Sequence, residues 1–242
     1  MIKKRLKKNF FTQPTLKVAK ELLGKYLVRI DKGKRISGMI VETEAYLGPK
    51  DKASHAYLGK KTLRNRAEYL IGGHIYIYLV YGMYWQLNAS TFKEGKPECV
   101  LIRALEPKEG IELMIKNSPP SLKATVDPPK AEKLTPTPKG RGSDLRRCGR
   151  SVGETKVINK NFGEKLTGGP GLICRSLNLD KSFYGHDLCH KKALLFVEDR
   201  GVKVKPSQIA KGPRIGIDYA GPYWSKKPWR FLIKTNKFVS KI

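Results

Sequence analysis

Residues 74–90 read HIYIYLVYGMYWQLNAS, and their pattern decides the fold. Ile75, Ile77 and Leu79 alternate with Tyr76, Tyr78 and Val80, the period of a strand with two unlike faces. Tyr81-Gly82-Met83 reads as a turn, and Trp85 to Ser90 as the returning strand. So short a reversal joins antiparallel neighbours. Upstream, Leu16, Ala19, Leu22 and Leu23 keep helical spacing between Pro14 and Gly24, which predicts a helix over 14–24. Lys25 to Asp31 and Ile36 to Tyr46 read as strands joined by the turn DKGKR. A further helix is expected from Arg64-Asn65-Arg66 to Gly72-Gly73. Downstream, Glu98 to Leu105 reads as a strand, and Pro107 is expected to open a helix over Glu109 to Ile115. A Gly-Pro-Gly turn at 169–171 leads into a short helix. Ala193 to Glu198, Arg214 to Tyr219 and Trp229 to Lys234 read as final strands. The sum is one mixed α/β domain over 1–242, with a curved, mostly antiparallel sheet and surrounding helices.

Charge is the unusual feature of the composition. Lys plus Arg number 49 against 21 acidic residues, a formal net charge of +28. Such a field attracts polyanions, nucleic acid first, with a membrane surface or an acidic protein behind it; Lys-rich composition across a whole proteome is the plain alternative. Residues 1–9 form a basic N-terminal arm. Residues 117–165 carry six prolines and many basic residues with little apolar periodicity, and read as a basic insert, a long loop or partly disordered. The four cysteines and four histidines show no CxxC or HxxxH pairing, so no metal site is expected. Few cysteines, no leader motif and no apolar run of membrane-spanning length lead us to expect an intracellular protein: cytoplasmic in a bacterium, nuclear or organellar in a eukaryote.

Three segments carry chemistry. In VETEAY (41–46), strand alternation puts Glu42, Glu44 and Tyr46 on one face and Val41, Thr43 and Ala45 on the other. Carboxylates beside an aromatic ring line a pocket or a solvated face, and spacing does not choose between the two glutamates. Tyr76, Tyr78, Tyr81, Tyr84 and Trp85 suit stacking on nucleobases or plain sheet packing. The tip YGMYW puts large apolar side chains where burial does not explain them. TLRNR (62–66) makes a phosphate clamp or a solvated helix start.

Together VETEAYLGPKDKASHAY, TLRNR, YIYLVYGMYWQLN, CVLIRALEP, GPG and RIGIDYAGPYWSKKPWRF resemble the 3-methyladenine (alkyladenine) DNA glycosylases, in order and spacing, over about 10–115 and 167–240. The resemblance implies removal of alkylated, and also deaminated or etheno, purines from damaged double-stranded DNA by a monomeric, cofactor-free hydrolase. It implies base flipping and no strand cleavage. It makes Glu44 the general base and Arg103 the arginine that helps hold the attacking water. Tyr46, His55 and Tyr78 sandwich the flipped base, and Asn88 crowds the 2-amino group of guanine. Tyr81 wedges into the duplex, while Met83, Tyr84 and the clamp residues Thr62, Arg64, Asn65 and Arg66 touch DNA. Leu63 and Leu172 depart from the family's usual Pro and Lys. A basic module that binds distorted duplex without cutting is the main alternative, and a basic RNA-associated or ribosome-associated factor the next.

Overall fold

The computed structural model describes residues 3–118 and 166–241, so nearly all of the 117–165 insert lies outside the described residues. One long strand organises the rest. β3 (Lys34–Tyr46) pairs along one edge with β6 (Cys99–Glu109). Along its other edge β2 (Tyr26–Asp31) covers the first half, and β9 (Arg230–Ile233) takes over at Glu42 to Glu44. The second half of β3 is therefore central to the sheet, and VETEAY (41–46) is buried along almost its whole length.

The remaining strands extend this pair. β1 (Lys4–Arg5) and β7 (Leu195–Asp199) continue beyond β2; β5 (Tyr84–Ser90) and β4 (Ile75–Val80) continue beyond β6; β8 (Ile209–Gly212) pairs with β9. Every strand pairing is antiparallel. The fold is thus the expected single mixed α/β domain, with an unclosed sheet and few helices. The basic segment at the N-terminus docks on this sheet: β1 pairs with β7, Lys3 meets Glu109 and Arg5 lies over Phe196.

Five α-helices lie among the described residues: α1 (Lys8–Phe11), α2 (Thr15–Glu21), α3 (Ile111–Asn117), α4 (Pro170–Ser176) and α5 (Pro222–Ser225). None is long and apolar enough to cross a membrane. A seven-residue helix does not hold itself together in water. What holds α2 is its apolar stripe: Val18, Ala19 and, just past its end, Leu22 and Leu23 are buried in the main core with Ile40, Leu105 and Phe231. The Thr43 hydroxyl donates to the Ala19 carbonyl (2.8 Å) and so ties the helix to the centre of β3.

Three expectations need correction. The segment after Arg64 forms only a 3-10 turn, Arg66–Tyr69, because the Asn65 side chain closes the preceding loop on itself. Pro107 opens no helix: β6 runs through it to Glu109, and α3 follows Gly110, whose φ of 69° breaks the strand. The proline is accommodated where the β3–β6 register shifts, between Ser37 and Gly38, so its missing N–H is not demanded by a regular ladder. Arg214 to Tyr219 is not a strand. Arg214 is drawn into the interior by Asp51, and the chain then makes a 3-10 turn at Asp218–Ala220. The strand in this region is β8, just upstream.

Candidate active site

The two glutamates of VETEAY share a face and both are fully buried, yet they do different things. The Glu42 carboxylate is saturated by protein. Oε1 accepts from Arg103 Nε (3.0 Å) and Arg230 Nη1 (3.0 Å), and Oε2 from the Ser240 backbone N–H (2.8 Å). Glu44 instead lines a cavity of about 490 Å³. Its Oε1 accepts from the Ile215 backbone N–H (2.9 Å) and lies 3.5 Å from Arg103 Nη1; its Oε2 accepts from the Tyr46 hydroxyl (2.9 Å). Arg103 therefore bridges the two carboxylates. Burial raises the Glu44 carboxyl above the ordinary range, opposed by Arg103, the Ile215 N–H and the Tyr46 hydroxyl. Burial also pushes the Tyr46 phenol well up, which keeps its proton in place as a donor to Glu44.

Aromatic rings make the walls. Tyr46, His55, Tyr76 and Tyr78 all line the cavity. The His55 ring stands edge-on to Tyr78 at 4.7 Å between centroids, and its Nδ1 is 2.6 Å from the Tyr76 hydroxyl. Burial, helped by the Arg64 cation, drops the His55 pKa to about 4. The imidazole is therefore neutral near pH 7 and does not repel a cation. Tyr78 donates to Gln86 Oε1 (2.9 Å), which fixes the ring's tilt.

Asn88 is buried in the wall; its Nδ2 donates to the Tyr76 and Gln86 carbonyls, and its Oδ1 lies 3.8 Å from Cys99 Sγ. With its amide hydrogens occupied, Asn88 meets the cavity as a fixed surface. Tyr46 is braced from behind by Arg214, whose guanidinium lies between the rings of Tyr46 (4.6 Å) and Trp229 (5.0 Å). Asp51 holds that guanidinium with two bonds, 2.5 and 2.9 Å long.

The β4–β5 hairpin carries the rim. Tyr81 and Gly82 take φ of 52° and 68°, and the Met83 N–H donates to the Val80 carbonyl (3.1 Å). Two successive positive φ values make the tight mirror-image turn that suits the twist of paired strands. Gly82 adopts this freely, but Tyr81 does so at a steric cost. The result is a ring 87% exposed at the tip, lining the cavity mouth, with exposed Met83 and Tyr84 beside it.

Of the clamp residues, Arg64 lines the cavity, lies over the Tyr78 ring (5.0 Å) and donates to the Leu79 carbonyl. Arg66 lies 6.0 Å from the Tyr184 ring. Asn65 is buried, and its side chain is spent inside the loop: Oδ1 accepts from Thr62 N and Oγ1, and Nδ2 donates to the His55 and Lys60 carbonyls. Asn65 and Thr62 thereby shape the loop that sets His55 and Arg64 in place.

Sequence reasoning missed several residues. The Ile215 N–H is a backbone group without a sequence signal. Arg214 and Asp51 are 163 positions apart. Glu68, one of the cavity-lining residues, is 1% exposed, and only its burial marks it.

Comparison with known proteins agrees with this geometry. The model of the methylpurine-DNA glycosylase family matches residues 9–237. A putative 3-methyladenine DNA glycosylase of Desulfitobacterium hafniense is 37% identical over 237 residues, 98% of each chain. One from Methanocella arvoryzae is 41% identical over 236 residues, 98% of this chain and 96% of the relative. The DNA-3-methyladenine glycosylase of Mus musculus is 37% identical over 239 residues, 98% of this chain but 62% of the mouse protein. A buried glutamate at the end of an aromatic cavity, a family match over nearly the whole chain and such relatives lead to one assignment: the chain belongs to the methylpurine-DNA glycosylase family, hydrolases of N-glycosyl bonds that remove alkylated bases from damaged DNA.

Proposed function

We propose that this glycosylase extrudes an alkylated purine from duplex DNA into the cavity and hydrolyses its bond to C1′, with Glu44 as the general base. The observation that carries this reading is the contrast between the two buried glutamates. Glu42 is fully engaged by protein donors, whereas Glu44 is aimed at the cavity by Ile215 N–H, Tyr46 and Arg103. A binding module has no use for a carboxylate facing a phosphate-rich ligand.

The steps follow from the side chains. Tyr81 enters the duplex where the base has left, offsetting part of the few kcal/mol that unstacking costs. Tyr46 and Tyr78, with neutral His55, flank the base; electron-rich rings favour a cation by roughly 0.5–2 kcal/mol per contact. N-alkylation gives the purine a positive charge, so it departs with the bond pair as a neutral molecule and needs no acid. Glu44 stabilises the positive charge developing on the sugar and takes a proton from the attacking water. Water oxygen bonds to C1′, leaving an abasic sugar and an intact backbone; no lysine nucleophile is used. Asn88 crowds the purine edge and biases choice. Arg64, Arg66, Met83 and Tyr84 contact DNA around the flipped site. Hypoxanthine and etheno-adenine, neutral while attached, depart as anions unless protonated, and are poorer substrates in this scheme. The protein acts as a monomer.

Incubation with duplexes each carrying a single lesion, followed by alkaline cleavage, tests the reading. Abasic sites should appear at methylated purines; intact strands throughout would overturn it. Two further outcomes are expected. Because burial raises the Glu44 carboxyl, the acid limb of kcat/KM should lie above the usual carboxylate range, with activity falling as Glu44 takes up a proton. Glu44→Gln should lack that limb. Tyr81→Ser should weaken binding to a lesion duplex by roughly 1–3 kcal/mol, the worth of one stacked ring, with thermal stability kept because the ring is exposed. Unchanged affinity would remove the wedge.

A further inference from the structure

Glu68 is unexplained by the scheme above. It sits in the 3-10 turn Arg66–Tyr69, is 1% exposed and lines the cavity. Its Oε1 accepts from the Cys99 thiol (3.3 Å), while its Oε2 is buried with no hydrogen-bond partner. A half-satisfied buried carboxyl destabilises a fold, and an apolar side chain of similar size would serve packing better. Its place is informative. On the sheet, Cys99 stands opposite Tyr46, whereas Leu101 stands opposite Glu44. Two residues along β6 are roughly 7 Å. Glu68 thus borders the cavity beside Cys99, two positions along β6 from the residue opposite Glu44.

We infer that Glu68 is the counter-ion of the flipped base: it selects positively charged, N-alkylated purines over neutral damaged ones. This rests on the proposed glycosylase reading. Burial pushes the carboxyl up to about 7, against the pull of Cys99, Asn65 and Arg64, so in the empty pocket it is partly protonated and the buried charge is avoided. A cation arriving beside it lowers that pKa and ionises it, and the base gains an ion pair away from bulk water. A neutral purine produces no such change. Arg64, the cation whose charge acts on Glu68, lies over Tyr78 and donates to the Leu79 carbonyl, while Glu68 Oε2 is buried without a hydrogen-bond partner, so the carboxyl acts on a base in the cavity through its charge. The pair is strongest in the ground state and fades as the base departs neutral, so it raises affinity at some cost to the chemical step.

The test uses an E44Q background, which holds lesions uncut. Affinity is measured for duplexes carrying one 7-methylguanine, one hypoxanthine or one tetrahydrofuran abasic analogue, with and without E68Q or E68M. We expect the 7-methylguanine duplex to bind roughly tenfold more weakly in both variants. The other two duplexes should change by less than about twofold. Thermal stability of E68M should hold or rise, because an unsatisfied buried group is removed. Equal losses on all three duplexes, or a fall in the Tm of E68M, would mean that Glu68 only supports the wall; an unchanged 7-methylguanine affinity would also overturn the inference. Failure of the unsubstituted protein to release 7-methylguanine would instead count against the glycosylase reading itself.

Discussion

Glu44→Gln should cut single-turnover base release by roughly 10²–10⁴-fold while leaving the protein as stable as before, and Glu42→Gln should do nearly the reverse to stability. The amide is the same size as the carboxylate. In place of Glu44 it still accepts the Ile215 N–H, but it takes no proton from water and offers no charge to the developing sugar cation. Removing a buried charge also relieves a desolvation cost, so Tm should hold or rise, the usual sign of a group kept for function at the expense of stability. Glu42 is the control. Its carboxylate joins Arg103, Arg230 and the Ser240 N–H, and Glu42→Gln leaves the buried Arg230 guanidinium short of its anion and the partly buried Arg103 with Glu44 alone. Breaking such a network costs on the order of 3–5 kcal/mol. Urea titration of both variants beside a base-release assay checks this. Normal release by Glu44→Gln would sink the proposed mechanism, and equal stability losses in both variants would erase the distinction between the two glutamates.

This contrast also marks how far the sequence carries. Alternation in IYIYLV and VETEAY reported faces, and faces are what a sheet inherits directly from sequence. Tyr76 and Tyr78 share the cavity, and Glu42, Glu44 and Tyr46 share a side, as the period of two requires. The exposed tip at Tyr81 was legible because its composition contradicts its position. Alternation could not say which glutamate faces the pocket. That depends on Arg230 and Ser240, nearly 200 residues away in sequence, which occupy one carboxylate and leave the other. The misread segments fail for the same reason. Pro107 signals a helix start locally, yet the edge of β3 keeps it in a strand at a register shift. RIGIDY has strand-like alternation, but a buried ion pair at Arg214 decides its path. Ile215 contributes a backbone N–H, which no residue identity encodes. The fold was therefore readable where one element's periodicity sufficed, and the site only where the resemblance supplied the partners.

Arg214→Met should cost about 3–5 kcal/mol of stability, as much as Glu42→Gln. For a domain of this size that corresponds to a fall in Tm of roughly 6–20 °C. Both members of the Arg214–Asp51 pair are fully buried, and the bond is two-pronged. Methionine fills much of the volume but leaves Asp51 charged, with the Leu47 and Ala53 N–H groups, among the described residues, to solvate it. Adding Asp51→Asn removes that stranded charge and should recover part of the loss. Catalysis should not recover with it. Arg214 also donates to the Ala45 carbonyl, supports the Tyr46 ring and precedes the residue whose N–H aims Glu44. In the double variant, then, Tm should rise above that of Arg214→Met while base release stays at the level of the single variant. Parallel recovery of both would mean that Arg214 matters only for folding. Recovery of stability alone would show that the pair positions the proposed general base, linking a contact 163 residues apart in sequence to the proton transfer assigned to Glu44.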